Sequence, residues 1–409
     1  MKRISSLALG AALMLGAAPT MVLAAKEKPA EAPKMTLSKE FRAAAGPAQA
    51  AIKANAAGAD AAVTAAEAAA TLPDDKFIAA QLRLTVSGAL KNKAMEQKAI
   101  VAMLTSGSSL ADLPTLNSIA GQNAYFERDY AVAIRYFSEA SRLGYNKDKP
   151  QLLLFLADSN FKSNKITEGL AFADQAVAAK IATGVKPDAD WYRRAFSAAY
   201  NAKLGPASIK WAVAQVRAYP TNDNWRSALV VYRDAQKDAG LNLDIFRLMR
   251  LTKSLAGERD FAEYAALATE RGLPGEAKSI IDEGTATSAF PANSRALTEL
   301  RGMAAAKIPG DQASLAAAER QAAASATGRI ASATADAYLG YGQDAKAIAL
   351  YKVALGKGGV DVDAVNTRMG IAMTRSGDKA GARTAFMAVK GAARADIAAF
   401  WLLWLDQQI

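Results

Sequence analysis

The chain has 409 residues and contains neither histidine nor cysteine. Without histidine it lacks the commonest general base, the Ser-His-Asp triad and the usual zinc ligand. Without cysteine it has no thiol nucleophile, no iron–sulfur ligand and no disulfide. Neither of the common glycine-rich phosphate loops is present. These absences predict a protein that is not an enzyme and that has no catalytic residue, cofactor or metal.

Alternating runs of β-branched residues are also missing, while Ala, Leu, Lys, Glu and Arg dominate the long segments. This composition is typical of helices, so the chain is predicted to be all-α. Paired aspartates are the remaining candidates for acid–base chemistry. Each pair precedes a helical run, so we interpret them as helix N-caps. The pairs are Asp74 with Asp75, Asp188 with Asp190, and Asp361 with Asp363.

The N-terminus has the pattern of a signal peptide. Lys2 and Arg3 precede an apolar run from Leu7 to Ala18, and Val22-Leu23-Ala24 is a small-residue cleavage site. Residues 1–24 are therefore predicted to be removed, and residues 25–35 to be a flexible lead-in. The alternative is a membrane anchor, but the run is short and interrupted by glycine. We expect an exported, periplasmic protein with no stable membrane span after signal removal.

One pattern recurs down most of the chain: a small residue, an aromatic residue, a turn, and then small, aromatic and small residues. Its clearest copy consists of Gly121, Ala124, Tyr125, Ala133, Phe137 and Ala140. The first small position of successive copies falls on Gly121, Ala157, Ala195, Leu229, Ala265, Met303, Ala335 and Gly370, at spacings of 32 to 38 residues. Two helices cross closely only where side chains are small, and aromatic rings fill the remaining gaps. The pattern therefore predicts a series of packed helix pairs.

This pattern resembles the tetratricopeptide repeat, a helix-turn-helix unit of about 34 residues. The resemblance covers roughly residues 36–392, with degenerate repeats predicted over 36–110 and the main array over 111–392. The copies at Leu229 and Met303 depart from it because leucine or isoleucine fills small positions. The resemblance implies a right-handed superhelical solenoid of about seven to nine stacked antiparallel helix pairs.

The last segment, residues 393–409, contains the apolar run Phe400-Trp401-Leu402-Leu403-Trp404-Leu405. It is too short to span a bilayer. We predict a capping helix that covers the exposed groove of the last repeat. A docking or self-association surface is the alternative, because the run is apolar nearly all round. The oligomeric state is left open.

The resemblance also implies that the first helix of each pair lines a concave groove. The lining positions carry Gln151, Asp158, Phe161 and Lys162, then Tyr192, Phe196 and Tyr200, then Arg226, Arg233, Asp234 and Arg259. They lie in or beside the stretch from Trp191 to Lys253, where eleven basic residues face four aspartates. An aromatic patch beside arginines is thus predicted at the centre of the groove. The alternative is ordinary packing between repeats for the aromatics and a solvated face for the arginines.

These features predict a non-catalytic interaction scaffold of the cell envelope that binds an acidic peptide or protein segment in the groove. Aromatic side chains supply contact area, and guanidinium groups pair with carboxylates. The alternative is binding of an anionic envelope polymer, such as an acidic polysaccharide, or of a lipid head group. The net charge of +11 would also suit nucleic acid, but export argues against it as the partner.

Overall fold

The computed structural model describes residues 35–236 and 238–408, which form twenty α-helices and no strand. The predicted all-α class is therefore confirmed over this part of the chain. The predicted signal peptide and all but the last residue of the lead-in lie outside it. The helices are α1 Lys39–Asn55, α2 Asp60–Ala69, α3 Pro73–Ala89, α4 Lys93–Thr105, α5 Leu113–Phe126, α6 Tyr130–Arg142, α7 Lys149–Lys162, α8 Ile166–Ala182, α9 Ala189–Asn201, α10 Gly205–Ala218, α11 Asn222–Asp234, α12 Ala239–Leu251, α13 Gly257–Glu270, α14 Pro274–Ala286, α15 Arg295–Ala324, α16 Arg329–Gly340, α17 Asp344–Lys357, α18 Val362–Arg375, α19 Lys379–Met387 and α20 Ala392–Asp406.

The chain divides into two compact units, unit 1 up to Ala198 and unit 2 from Ala199. Unit 1 contains four helix pairs, α1 with α2, α3 with α4, α5 with α6 and α7 with α8, followed by most of α9. Unit 2 contains four more pairs, α11 with α12, α13 with α14, α16 with α17 and α18 with α19. Eight pairs within the units agree with the seven to nine expected from the spacing. Each unit is a helical-repeat solenoid in its own right.

The early repeats of unit 1 stack on the later ones. Helix α4 packs against α5, across the predicted boundary near residue 110. The segment before α1 is held by two aspartates of α3: Asp74 accepts from the Thr36 amide at 2.6 Å, and Asp75 accepts from the Ser38 amide at 3.0 Å. Asp75 also accepts from the Leu72 amide at 3.0 Å, as expected of a capping carboxylate. These aspartates therefore have structural partners, in keeping with the interpretation from sequence.

The turn inside most pairs is closed by one recurring backbone hydrogen bond. The backbone amide of the residue eight positions after the small residue donates to the carbonyl of the residue three positions after that same small residue. This bond joins Asp129 to Ala124, Lys165 to Asn160, Leu273 to Ala268, Gln343 to Tyr338 and Asp378 to Met373, at 2.8–2.9 Å. Gly342 and Gly377 adopt φ of 72° and 86° in two of these turns, a conformation that glycine reaches without strain.

The copy predicted at Met303 is not a helix pair, and that prediction was wrong. Residues 295–324 form one continuous 30-residue helix, α15, with Pro309 inside it and Met303 52% exposed. Its buried residues Ala304, Leu315 and Ala322 lie at spacings of 11 and 7, which put them on one helical face. Because α15 packs on α14 and α16, this single face is covered along its length and no second helix is needed.

The C-terminal helix α20 packs against α18 and α19, and also against α12, within unit 2. Phe400 contacts the rings of Trp225 and Tyr232 of α11 at centroid distances of 6.3 and 5.5 Å. The side-chain amide Nε2 of Gln407 donates to the backbone carbonyl of Val216 at 3.1 Å. Helix α20 therefore covers the last pair, as a cap would, and also contacts the first helices of unit 2. Among the described residues, none of the helices has the length and apolarity that crossing a membrane requires.

Candidate functional site

The predicted lining residues belong to different units. Phe161, Lys162, Tyr192 and Phe196 lie in unit 1, and Tyr200, Arg226, Arg233 and Arg259 lie in unit 2. In unit 1 the first helices of three successive repeats are linked through Asp158. The Tyr125 hydroxyl of α5 and Nη1 of Arg194 of α9, at 3.2 Å, both donate to this carboxylate. Helices α5, α7 and α9 thus share a continuous surface, which we call the unit 1 face.

Charges on the unit 1 face are held in fixed positions. Burial first, and then the bond to Asp158, raise the pKa of Tyr125 far above neutrality, so its hydroxyl stays a donor. Asp190 accepts from both Arg193 and Arg194, which together lower the pKa of this carboxyl against the opposing effect of burial. Tyr125 therefore stays neutral and Asp190 stays ionised throughout the neutral range.

Some predicted residues on this face are available for contact and others are packed. Lys162 is exposed, Phe196 is half-buried, and Tyr192 is buried. Phe161 is half-buried against α8, where a Cβ built on Gly169 would lie 2.5 Å from its ring. Packing therefore accounts for Tyr192 and for part of Phe161, as the alternative interpretation proposed. Nε2 of Gln151 is buried on α7 without a hydrogen-bond partner.

Two of the three arginines predicted in unit 2, Arg226 and Arg233, surround one carboxylate, that of Asp260. Arg226 donates to Asp260 and, at 3.1 Å, to the Ser254 carbonyl. Nη1 of Arg233 lies 3.8 Å from Asp260, and its guanidinium lies 4.9 Å from the centroid of the Phe246 ring. Arg233 is only 5% exposed and so cannot contact a partner at the surface. Arg259 is exposed, as is Tyr200 at 54%.

Four arginines of the basic stretch, Arg226, Arg233, Arg247 and Arg250, are paired with carboxylates inside unit 2. Arg247 donates to both oxygens of Glu276 at 2.9 and 2.6 Å, and Arg250 donates to Glu283 at 2.7 Å. These acidic partners, like Asp260, follow the basic stretch in sequence. An excess of cations over 63 consecutive positions therefore does not produce an equally basic surface.

The first helices are positioned by a contact that repeats in both units. A Cβ built on Gly121 would lie 2.6 Å from the Phe137 ring, and one on Gly370 would lie 2.6 Å from the Phe386 ring. In each case the ring is 16 positions after the small residue, on the second helix of the same pair. The same spacing places buried Tyr351 after Ala335. These helix pairs are tetratricopeptide-like repeats.

No protein-family model and no curated protein matches the chain. Solved tetratricopeptide structures resemble it at low identity. A repeat protein from Parabacteroides merdae is 14% identical with a TM-score of 0.29, covering 64% of this chain and 98% of its own. The C-terminal part of one from Cytophaga hutchinsonii is 12% identical with a TM-score of 0.29, covering 80% and 99%. The TPR2AB domain of yeast Sti1, in a complex with pHSP90, is 15% identical with a TM-score of 0.25, covering 72% and 96%. Likeness of this degree says nothing of what this chain binds.

Two cavities among the tetratricopeptide-like repeats of unit 2 could not be found from the sequence. One, of about 690 Å³, is lined by residues of α12, α14, α15, α18 and α20, including Arg250, Ile371 and Trp401. The other, of about 570 Å³, lies beside α12, α15, α16 and α18. Arg247 lines both cavities. Their walls come from segments more than 100 residues apart, so no local motif marks them.

Proposed function

We propose that the chain is a non-catalytic protein–protein interaction scaffold of the bacterial cell envelope. In this proposal the unit 1 face holds an extended, acidic segment of the partner. Export through the N-terminal signal pattern, and a periplasmic location, are part of the proposal. Repeats of this kind suit such a role, since each adds surface without needing a separate core.

The observation that carries the proposal is the bonding of Asp158 to Tyr125 and Arg194. Because it joins first helices of three successive repeats, side chains from all three are held in a fixed arrangement on one surface. A partner that meets such a preorganised surface loses less side-chain entropy on binding. On α7, Gln151 and Lys162 fall on the same side as Asp158 by helical periodicity.

The groups on this surface that remain free to bind favour an acidic, extended partner. Lys162 is exposed, and the side chain of Arg193, although paired with Asp190, is 69% exposed. Exposed pairs are weak, so Arg193 can exchange Asp190 for a partner's carboxylate.

Charge reversal at Lys162 and Arg193 tests the assignment. The variant Lys162→Glu/Arg193→Glu is compared with Arg135→Glu/Arg142→Glu on α6, the second helix of its pair. The control is matched because Arg142 pairs with Glu139 at the same i,i+3 spacing and is 68% exposed. In-cell crosslinking and mass spectrometry identify the captured partner. Peptides from its acidic segments are then titrated by fluorescence anisotropy at low and high salt.

We expect one acidic segment to bind the wild-type protein, to bind the unit 1 variant at least tenfold more weakly, and to bind the control normally. Equal losses in both variants would mean that net charge alone attracts the ligand. Unchanged binding in the unit 1 variant would show that the face is wrongly assigned. Capture of polysaccharide or lipid alone, released by high salt, would replace the scaffold with the polymer-binding alternative.

A further inference from the structure

The 570 Å³ cavity of unit 2, which we call the arginine cavity, has more cations than anions in its wall. Its charged lining consists of Arg247, Arg271, Arg329 and Arg368 against Asp311 and Asp336. The cavity lies entirely within unit 2, and it is separate from the unit 1 face. The inference drawn from it therefore stands independently of the proposed function.

The acidic groups of the arginine cavity are already engaged by protein donors. Asp311 accepts from the Tyr341 hydroxyl at 2.6 Å. Asp336 accepts from the Tyr351 hydroxyl at 2.6 Å and from Nη1 of Arg368 at 2.7 Å. Asp336 is therefore already paired with Arg368, and no arginine of the wall donates to Asp311 among the described residues.

Two of the arginines make no hydrogen bond to a carboxylate among the described residues. The charge of Arg271 acts on nearby Asp238 and is one cause of that carboxyl's lowered pKa, and Arg329 donates to the Gly359 carbonyl at 3.2 Å. The third, Arg368, is 6% exposed, and its Nε has no hydrogen-bond partner; the nearest oxygen of Asp244 is 3.5 Å away. A buried guanidinium with an open N–H is a strong donor toward an anion.

Arg271 and Arg368 converge on one point. Their Nη2 atoms lie 3.2 and 3.3 Å from the place where a Cβ on Gly240 would stand. Asp238 adjoins this point, but its carboxylate accepts from the Leu241 amide at 2.7 Å as the N-cap of α12. One carboxylate oxygen of Asp238 is also 3.1 Å from this point, so the two guanidinium groups share this anion and leave their other N–H groups for a ligand.

The remaining wall is mostly apolar and defines the rest of the ligand. Leu243, Leu273, Leu315, Ala318 and Ala333 line the cavity beside the arginines. A volume near 570 Å³ falls in the range of sites for small organic molecules and is much larger than an inorganic anion needs. We propose that the arginine cavity binds a small organic anion, with a carboxylate or phosphate head on the arginines and an aliphatic body against the leucines.

Isothermal titration calorimetry with three ligands of the same chain length tests this site: octanoate, octyl phosphate and 1-octanol. The variant Arg271→Gln/Arg329→Gln removes the two arginines that make no hydrogen bond to a carboxylate, both at exposed positions, so folding is expected to be unaffected. The matched control, Arg295→Gln/Arg320→Gln, removes two exposed charges from α15 that do not line the cavity. Thermal unfolding of both variants verifies that they are folded.

The wild-type protein is expected to bind at least one of the two anions and to bind 1-octanol at least tenfold more weakly. The tighter anion identifies the head group as carboxylate or phosphate. The cavity variant should lose at least tenfold in affinity for that anion, and the control should retain it. The proposal is overturned if neither anion binds, if 1-octanol binds equally well, or if both variants lose affinity alike.

Discussion

Gly121 and Gly370 lack a side chain where a phenyl ring occupies the space. Each lies in the middle of a first helix, where glycine costs about 0.5–1 kcal/mol relative to alanine. Both positions show the same 2.6 Å approach of a built Cβ to a ring of the second helix. The stability gained from close packing of the two helices therefore exceeds the stability lost through the low helix propensity of glycine.

We predict that Gly121→Ala destabilises the protein by about 1–3 kcal/mol, because the added methyl group overpacks against Phe137. Gly46→Ala in α1 is the matched control, since nothing lies within 4 Å of its Cβ position. It should stabilise the protein by about 0.5–1 kcal/mol through helix propensity. Urea unfolding followed by circular dichroism measures both changes. Stabilisation by Gly121→Ala would disprove the close approach.

A buried ion pair, Arg247 with Glu276, lies at the centre of unit 2. Burial alone would raise the pKa of Glu276, but the charge of Arg247 and hydrogen bonds from Arg247 and Tyr264 lower it to about 2. An unfolded glutamate has a pKa near about 4.3. Since the folded value is the lower one, this pair stabilises the protein fully above about pH 5, and the stabilisation is lost as the pH falls toward 2.

We predict that Glu276→Gln lowers the free energy of unfolding at pH 7 by about 3–5 kcal/mol, because Arg247 loses one of its two buried carboxylate partners and keeps only Asp244, at 2.8 Å. The variant should also lose less stability than the wild type between pH 5 and pH 3. Glu283→Gln breaks a more exposed pair with Arg250 and should cost less than about 1 kcal/mol. Urea unfolding across this pH range measures both. A wild-type pH slope retained in Glu276→Gln would exclude Glu276 as its source.

Helix α20 stands where the first helix of another repeat would stand. In unit 1, Phe137 of one pair stacks on Phe155 of the next first helix at 5.2 Å between centroids. In unit 2, Phe386 of the last pair stacks on Trp401 of α20 at 5.5 Å. Trp401 and Phe400 are buried within the chain, at 1% and 3% exposure. The apolar run therefore reproduces the contact between repeats with α20 as the terminal helix.

We predict that Phe400→Ala destabilises the protein by about 3–5 kcal/mol, because the ring fills space between α20 and α11. Met387→Ala, at a side chain 60% exposed beside this helix in sequence, should change stability by less than about 0.5 kcal/mol. Thermal unfolding and analytical ultracentrifugation are measured for both. A changed oligomeric state with unaltered stability in Phe400→Ala would instead indicate a docking surface.

Helix pairs could be predicted from the sequence wherever a small residue and an aromatic 16 positions later mark a close crossing. Gly121 and Gly370 have this signal, and both pairs were found at the expected places. Helix α15 could not be predicted, because Pro309 and Gly310 have the composition of a turn. Its continuity depends on burial against α14 and α16, which local composition does not encode.

The predicted binding residues also divide into those that local sequence places correctly and those that depend on contacts between repeats. Lys162 could be placed at an exposed position of a first helix because helical periodicity decides it. The pairing of Arg226 and Arg233 with Asp260 could not be predicted, since Asp260 lies some 30 residues away in the next repeat. Which cations remain free is decided by contacts between repeats. The arginine cavity was missed for the same reason.

The surface charge of the protein depends on which cationic side chains are paired with carboxylates, and not only on how many cations the sequence contains. The chain is basic overall at +11, and the most basic stretch includes Arg217 and Arg226. Arg217 is exposed and has no carboxylate partner within residues 35–236 and 238–408, whereas Arg226 donates to the buried Asp260. Two arginines of one stretch therefore differ in function: the first contributes to the surface potential, and the second to the fold.

We predict that Arg226→Gln destabilises the protein by about 1–3 kcal/mol, since Asp260 keeps its burial but loses a charged donor. Its affinity for a polyanion such as heparin should stay within twofold of wild type. Arg217→Gln, which removes the same charge nine positions earlier, should leave stability unchanged and weaken polyanion binding more than Arg226→Gln does. Thermal unfolding and heparin titration at two salt concentrations separate these effects. If Arg226→Gln weakened polyanion binding without loss of stability, Arg226 would be a surface ligand. That result would support the polymer-binding alternative, which the internal pairing of Arg226 argues against.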